Sequence, residues 1–195
     1  GGAGVAATDF GTSGQVLTSG GASATATWAD AGGGLSEIDT WTISGSWPYM
    51  ISGSWTNARL GNGQNGGGEG VLVRNAENNM PVGTGMTHAD GLFTFPSAGT
   101  YQIDCMLHLE RKGSSNVTGL RVGLCGDVDG TGRQFTTTEQ DVNSYITHTT
   151  INLTAIQKFT NTATSNFFVK LNASGGDVYI KALSATQNLI FKKLA

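Results

Sequence analysis

From position 100 to 110 the chain alternates in its apolar and polar character. Tyr101, Ile103, Cys105, Leu107 and Leu109 share one phase, and Gln102, Asp104, His108 and Glu110 the other. A period of two held this long predicts a half-buried β-strand. Residues 92–95 predict a strand before it, with Pro96-Ser97-Ala98-Gly99 as the turn. Residues 120–125 predict the next, closed by the turn Asp127-Val128-Asp129-Gly130. Further strands are expected at 145–156, 166–171, 177–183 and 188–194, with Gly175-Gly176 reversing the chain between two of them. No stretch carries a 3.6-residue period. Many short strands at regular spacing predict an all-β sandwich or barrel.

Three large apolar residues break the alternation. Met106 falls in the polar phase of its strand, Phe168 stands opposite in phase to Phe167, Val169 and Leu171, and Ile190 to Leu189 and Phe191. Single surface hydrophobes are common, but three on separate strands predict a subunit interface. The same phase test separates the two cysteines. Cys105 goes with Ile103 and Leu107, whereas Cys125 is out of phase with Leu120, Val122 and Leu124. Thiols on opposite faces cannot meet disulfide geometry. Two free thiols are expected, which suits assembly in a reducing cytoplasm.

Residues 1–34 are Gly, Ala, Ser and Thr with few large apolar residues. On composition they read as a flexible linker, with a strand–turn unit of an intertwined shaft as the alternative. The domain begins at 35. An eight-residue repeat follows, Ile43-Ser44-Gly45-Ser46-Trp47 and Ile51-Ser52-Gly53-Ser54-Trp55, then a glycine-rich loop at 61–70. The 195 residues are 38% hydrophobic and only 13% charged, against roughly a quarter charged in an average domain. The surface must therefore be covered by Ser, Thr, Asn and Gly. Net charge is -3 and no Lys/Arg stripe exists, so nucleic acid is not an expected partner. No apolar run approaches the ~20 residues that span a bilayer, and membrane insertion is not expected. The chain opens Gly1-Gly2 and reads as a processed protein or a fragment.

Two stretches resemble known families. The run from Gly11 through Gly14-Gln15-Val16-Leu17-Thr18-Ser19-Gly20 to Trp28-Ala29-Asp30 resembles the G-x-S-G-Q-V-L-x-S-x-G…W-A motif of phage tail-fibre and other virion proteins, with Thr27 where Pro or Leu is usual before the Trp. Gly91-Leu92-Phe93-Thr94-Phe95-Pro96-Ser97-Ala98-Gly99-Thr100-Tyr101-Gln102-Ile103 is similar to the C1q/TNF-like motif G-x-F-x-x-P-x-x-G-x-Y-x-F, one residue shorter before Pro96 and with Ile103 in place of an aromatic. The second resemblance implies a ten-stranded jelly roll over 35–195 that assembles as a homotrimer. It also implies that the strands of Met106, Phe168 and Ile190 lie in the sheet facing the threefold axis. Together the resemblances imply a virion fibre protein on tail or capsid, attached to other virion proteins through residues 1–34 and made in the host cytoplasm.

Catalytic chemistry finds no foothold. His88, His108 and His148 stand in no recognisable spacing with Cys or Asp, and no zinc-protease, nucleophile-elbow or P-loop motif occurs. The expectation is a protein that is not an enzyme and needs no cofactor. Asp127 and Asp129 are weak candidates for a calcium site, lacking the third ligand and terminal Glu of an EF-hand loop; a hairpin turn is the stronger reading. Trp47, Tyr49 and Trp55 are candidate ligand-binding aromatics, able to stack on a sugar or anchor a protein partner, while Trp41 reads as core. The leading expectation is a trimeric fibre head that binds a host-surface glycan or protein. The alternatives are a capsid decoration protein and a surface depolymerase.

Overall fold

A computed structural model of the chain describes residues 11–30, 35–44, 49–53, 71–74, 81–111, 117–142, 148–180 and 189–194. Contacts divide the chain into Gly1–Gly34 (with Ala195) and Leu35–Leu194.

In the first unit β1 (Gln15–Thr18) and β2 (Thr27–Asp30) form an antiparallel hairpin, with Leu17 opposite Trp28. The described residues thus take the strand–turn form, not the linker that composition favours. Gly11 explains part of this. Its φ is +66°, and a Cβ there would stand 2.8 Å from the Trp28 ring, so only glycine lets the chain close over the indole.

The second unit is a two-sheet sandwich. Its strands are β3 (Glu37–Ser44), β4 (Tyr49–Gly53), β5 (Val71–Arg74), β6 (Thr87–Ala89), β7 (Leu92–Thr94), β8 (Gly99–Arg111), β9 (Val117–Val128), β10 (Thr131–Val142), β11 (His148–Phe159), β12 (Asn166–Ile180) and β13 (Leu189–Leu194). Among the described residues the only helical element is a 3-10 turn, Thr162–Thr164. Sheet I runs β5-β3-β13-β8-β11, and sheet II is built on β10-β9-β12, with β7 and β4 also pairing along β12 and β6 on β7. β13 lies in the middle of sheet I, with Leu189 opposite Trp41 on one side and Cys105 on the other.

The alternating residues of β8 fold as their phase predicts. Tyr101, Ile103, Cys105, Leu107 and Leu109 are all buried between the sheets. They meet Phe167, Val169 and Leu171 of β12 and Phe191 of β13 in one core cluster. The motif around Gly91 serves this core. Asp90 and Gly91 both have positive φ (49° and 76°) and form the two-residue turn between β6 and β7. Phe93 then packs edge-on to Trp41 at 5.1 Å and lies 5.0 Å from Phe191. Phe95 stacks on Phe159 at 3.9 Å, and the Tyr101 hydroxyl donates to the Ser97 carbonyl at 3.0 Å, pinning the turn into β8.

Asp129-Gly130 is a tight turn, as expected. Both residues have positive φ (51° and 84°), and Val128 pairs with Thr131 across it. Gly175-Gly176 is not a reversal, however. β12 continues through both glycines: Phe167–Asn172 pair with β9 in sheet II, and Val178–Ile180 pair with β8 in sheet I. Gly175, at φ 81°, marks a register break in one strand shared by both sheets. Sequence reading also passed over β10. Its polar Thr/Gln text belongs to a sheet edge exposed along most of its described length.

Candidate functional site

The outward face of sheet I carries a hydrogen-bonded group of side chains outside the core. On β8 it presents Gln102, Asp104, Met106 and His108, on β11 Thr150, Asn152, Thr154 and Ile156, and on β13 Ile190 and Lys192; all alternate with buried residues. Met106 and Ile190 line one depression of about 280 Å³, together with Asp104, Asn152 and Thr154.

Asp104 organises this surface. Its carboxylate accepts from Lys192 Nζ at 2.9 Å, Thr154 Oγ1 at 2.8 Å, and Gln102 Nε2 at 3.1 and 2.9 Å. Side chains of β8, β11 and β13 are thereby tied to one acceptor. Burial alone would push the Asp104 carboxyl up, but the bonds from Lys192, Gln102 and Thr154 and the Lys192 charge together hold it below its ordinary range. His108 Nδ1 lies 2.7 Å from Thr150 Oγ1 further along the same face.

Phe168 is not part of this surface. It belongs to the β12 segment in sheet II, opposite Cys125 of β9. The expectation that Met106, Phe168 and Ile190 share one sheet is therefore corrected. The phase break identifies an outward side chain, but not which of two sheets its strand has joined. Ile156 was missed by the same reasoning. It alternates with buried Ile151, Leu153 and Ala155 and is 62% exposed.

The aromatic candidates Trp47 and Trp55 lie outside the described residues. Tyr49 begins β4, where its backbone pairs with Ile180, and its side chain lies outside the description. Trp41 is buried and donates its Nε1 hydrogen to Asp39 at 3.0 Å.

Asp127 and Asp129 are both engaged by protein donors. Asp129 accepts from the backbone N–H groups of Thr160 (3.0 Å) and Asn161 (2.7 Å), and from the hydroxyls of Thr160 (2.5 Å) and Ser165 (3.2 Å). Those bonds, led by the Thr160 hydroxyl, lower its carboxyl pKa. Asp127 accepts from Asn166 Nδ2 at 2.6 Å. The pair fastens the β9–β10 turn to the β11–β12 connection. Among the described residues no group of three or more His, Cys, Asp or Glu side chains is placed to hold a metal ion. Cys105 lies within the core and Cys125 outside it, both buried and both free.

No family model matches the chain, and no curated protein matches it in sequence. Solved structures do. A structure of the TNF protein Eiger from S. frugiperda matches at a TM-score of 0.59 and 10% identity, covering 81% of this chain and 92% of that one. A crystal structure of murine APRIL at pH 5.0 matches at 0.54 and 10% identity, covering 81% and 98%. At this identity the likeness speaks for architecture alone: residues 35–194 form a jelly-roll β-sandwich of the TNF/C1q-like kind.

Proposed function

We propose that this chain is a non-enzymatic binding head of a virion fibre, working as a homotrimer that attaches to a host-surface glycan or protein. The observation that carries the reading is the outward face of sheet I, where Met106 and Ile190 line a depression and Ile156 stands exposed on the same face. Apolar groups collected on one face mark a protein interface, and a second copy of the chain is the partner that the resemblance to trimeric C1q/TNF-like heads implies. The carboxylates favour binding over catalysis. Asp104 and Asp129 are each saturated by protein donors, which leaves neither poised as a general acid or base. The N-terminal motif supports the assignment to a virion. Three copies would raise a weak receptor affinity through effective concentration.

Light scattering at micromolar concentration tests assembly: three chain masses are expected, and a monomer overturns the trimer. Binding of labelled protein to bacterial cells and immobilised glycans tests attachment. Ile190→Asp should lower that binding as the three-site avidity is lost. Sugar fragments released from the cells would instead establish a depolymerase.

A further inference from the structure

Two turns of the second unit are built on the same dipeptide. Asp90-Gly91 joins β6 to β7, Asp129-Gly130 joins β9 to β10, and all four residues have positive φ. In an Asp-Gly pair the carboxyl carbon can meet the next amide nitrogen, because glycine puts no side chain in the way. The two turns differ in what holds those groups. At 129–130 both are engaged. Four protein donors occupy the Asp129 carboxylate, and the Gly130 N–H donates to the Thr164 carbonyl at 2.9 Å. At 90–91 neither is. Asp90 is exposed, and among the described residues no hydrogen bond reaches its carboxylate or leaves the Gly91 N–H. A two-residue hairpin turn closes through the residues on either side, so its ladder has no use for that N–H. Gly91 is buried, but its nitrogen needs no entering partner: the carbon it would attack belongs to the preceding residue.

We propose that Asp90-Gly91 is a site of spontaneous backbone isomerisation, and that hydrogen bonds protect Asp129-Gly130 from the same reaction. The Gly91 nitrogen bonds to Asp90 Cγ and gives up its proton. One carboxyl oxygen leaves as water, taking that proton and, from the ionised acid, a second one from solvent. The resulting five-membered imide then takes up a water and returns the solvent proton. Opening at Cγ restores aspartate. Opening at the main-chain carbonyl of Asp90 leaves the chain routed through Cγ, as isoaspartate. One water leaves and one returns, so the mass is unchanged and no oxidant or reductant takes part. The isomer has one more main-chain atom in the turn, so Ala89 and Leu92 no longer close in register. That register carries Phe93, which is fully buried against Trp41, His88 and Phe191.

The test incubates the full chain at pH 6 for several weeks in water enriched in the heavy oxygen isotope. Digestion in ordinary water and site-resolved mass spectrometry follow. Each passage through the imide leaves one heavy oxygen at that residue. Labelling at Asp90 should exceed that at Asp129 at least tenfold, with isoaspartate accumulating at position 90. Equal labelling of the two sites in the folded chain, or none at Asp90, overturns the proposal. In concentrated urea the two sites should label alike. A difference that persists there also overturns it, since local sequence rather than folding would then set the rates. Asp90→Glu needs a six-membered imide and should abolish labelling at position 90 while Asp129 is unchanged; label retained at that position excludes the imide route. Thr160→Ala combined with Ser165→Ala removes both hydroxyl donors from Asp129 and should raise its labelling severalfold. Unchanged labelling overturns the protective half of the proposal. In native buffer a protease should cut the isomerised fraction first, and equal resistance overturns the link to Phe93.

Discussion

Asp39 and Arg74 form an ion pair between β3 and β5, with Asp39 Oδ1 3.0 Å from Arg74 Nε. The two ends differ in their access to water. Asp39 is only 2% exposed, whereas the Arg74 side chain is 35% exposed. The carboxylate also accepts from Trp41 Nε1 at 3.0 Å and from the Met86 N–H at 2.7 Å, so it ties three segments together. Arg74 also lies over the Trp41 ring and donates to the Met86 carbonyl.

This asymmetry gives an ordered pair of stability losses. Arg74→Met strands a buried carboxylate and should cost about 3 kcal/mol, near the low end for a broken buried pair. Asp39→Asn keeps an acceptor oxygen, and the released guanidinium can turn to water, so its loss should be about 1–2 kcal/mol. Urea unfolding at pH 7 checks the order, and a larger loss for Asp39→Asn contradicts it.

Asp104 carries a pH-dependent share of stability. Its folded carboxyl sits below the ordinary value, so the folded state favours the ionised form. That stabilisation is complete above the ordinary carboxylate range and fades as pH falls through the folded value. The difference in urea midpoint between wild type and Asp104→Asn should be largest near pH 7 and close in strong acid. A difference that stays constant with pH would exclude the carboxylate charge as its source.

Neither cysteine should react while the protein is folded. Burial pushes the Cys105 thiol up to about 12, and that of Cys125 also upward despite the nearby Lys170 charge. Their residues are 3% and 6% exposed. A thiol reagent at pH 8 should label neither site in buffer and both in denaturant, because the thiolate is the nucleophile and neither forms nor meets reagent in the native state. Mass spectrometry of the labelled chain reads this directly.

Gly126 has no room for a methyl group. A Cβ there would run into the carbonyl oxygen of Asn166 on the paired strand, and that oxygen is backbone. Gly126→Ala should therefore force β9 and β12 apart and cost about 3 kcal/mol, at the severe end for overpacking. Gly132→Ala is the control. A Cβ at Gly132 meets only the Asp127 side chain at ordinary contact distance, and its effect should be within about 0.5 kcal/mol.

Strong alternation made the interior legible. β8 and β13 have one face against the core, so phase alone sorts Ile103 from Asp104 and Phe191 from Lys192. Strands that break the pattern were harder. β10 has little apolar text because it edges sheet II, and its existence depends on pairing with β9, which composition does not record. Gly175-Gly176 carries the usual signature of a reversal, yet β12 runs through it because pairing on both sides extends past the glycines. On the candidate face, the phase rule found Met106 and Ile190, and applied to 151–156 it also singles out Ile156. The Asp104 network was out of reach, since Gln102, Thr154 and Lys192 come together only once three strands have found their register.

The central place of β13 bears on how the protein is made. Residues 189–194 fill the slot between β3 and β8, so that slot stays empty until they have left the ribosome. Until then two long strands hold bare backbone edges toward each other across the gap, ready to capture any stray extended peptide. A nascent chain in this state is a natural client for a chaperone, and slow translation of residues 189–194 would lengthen the hazard.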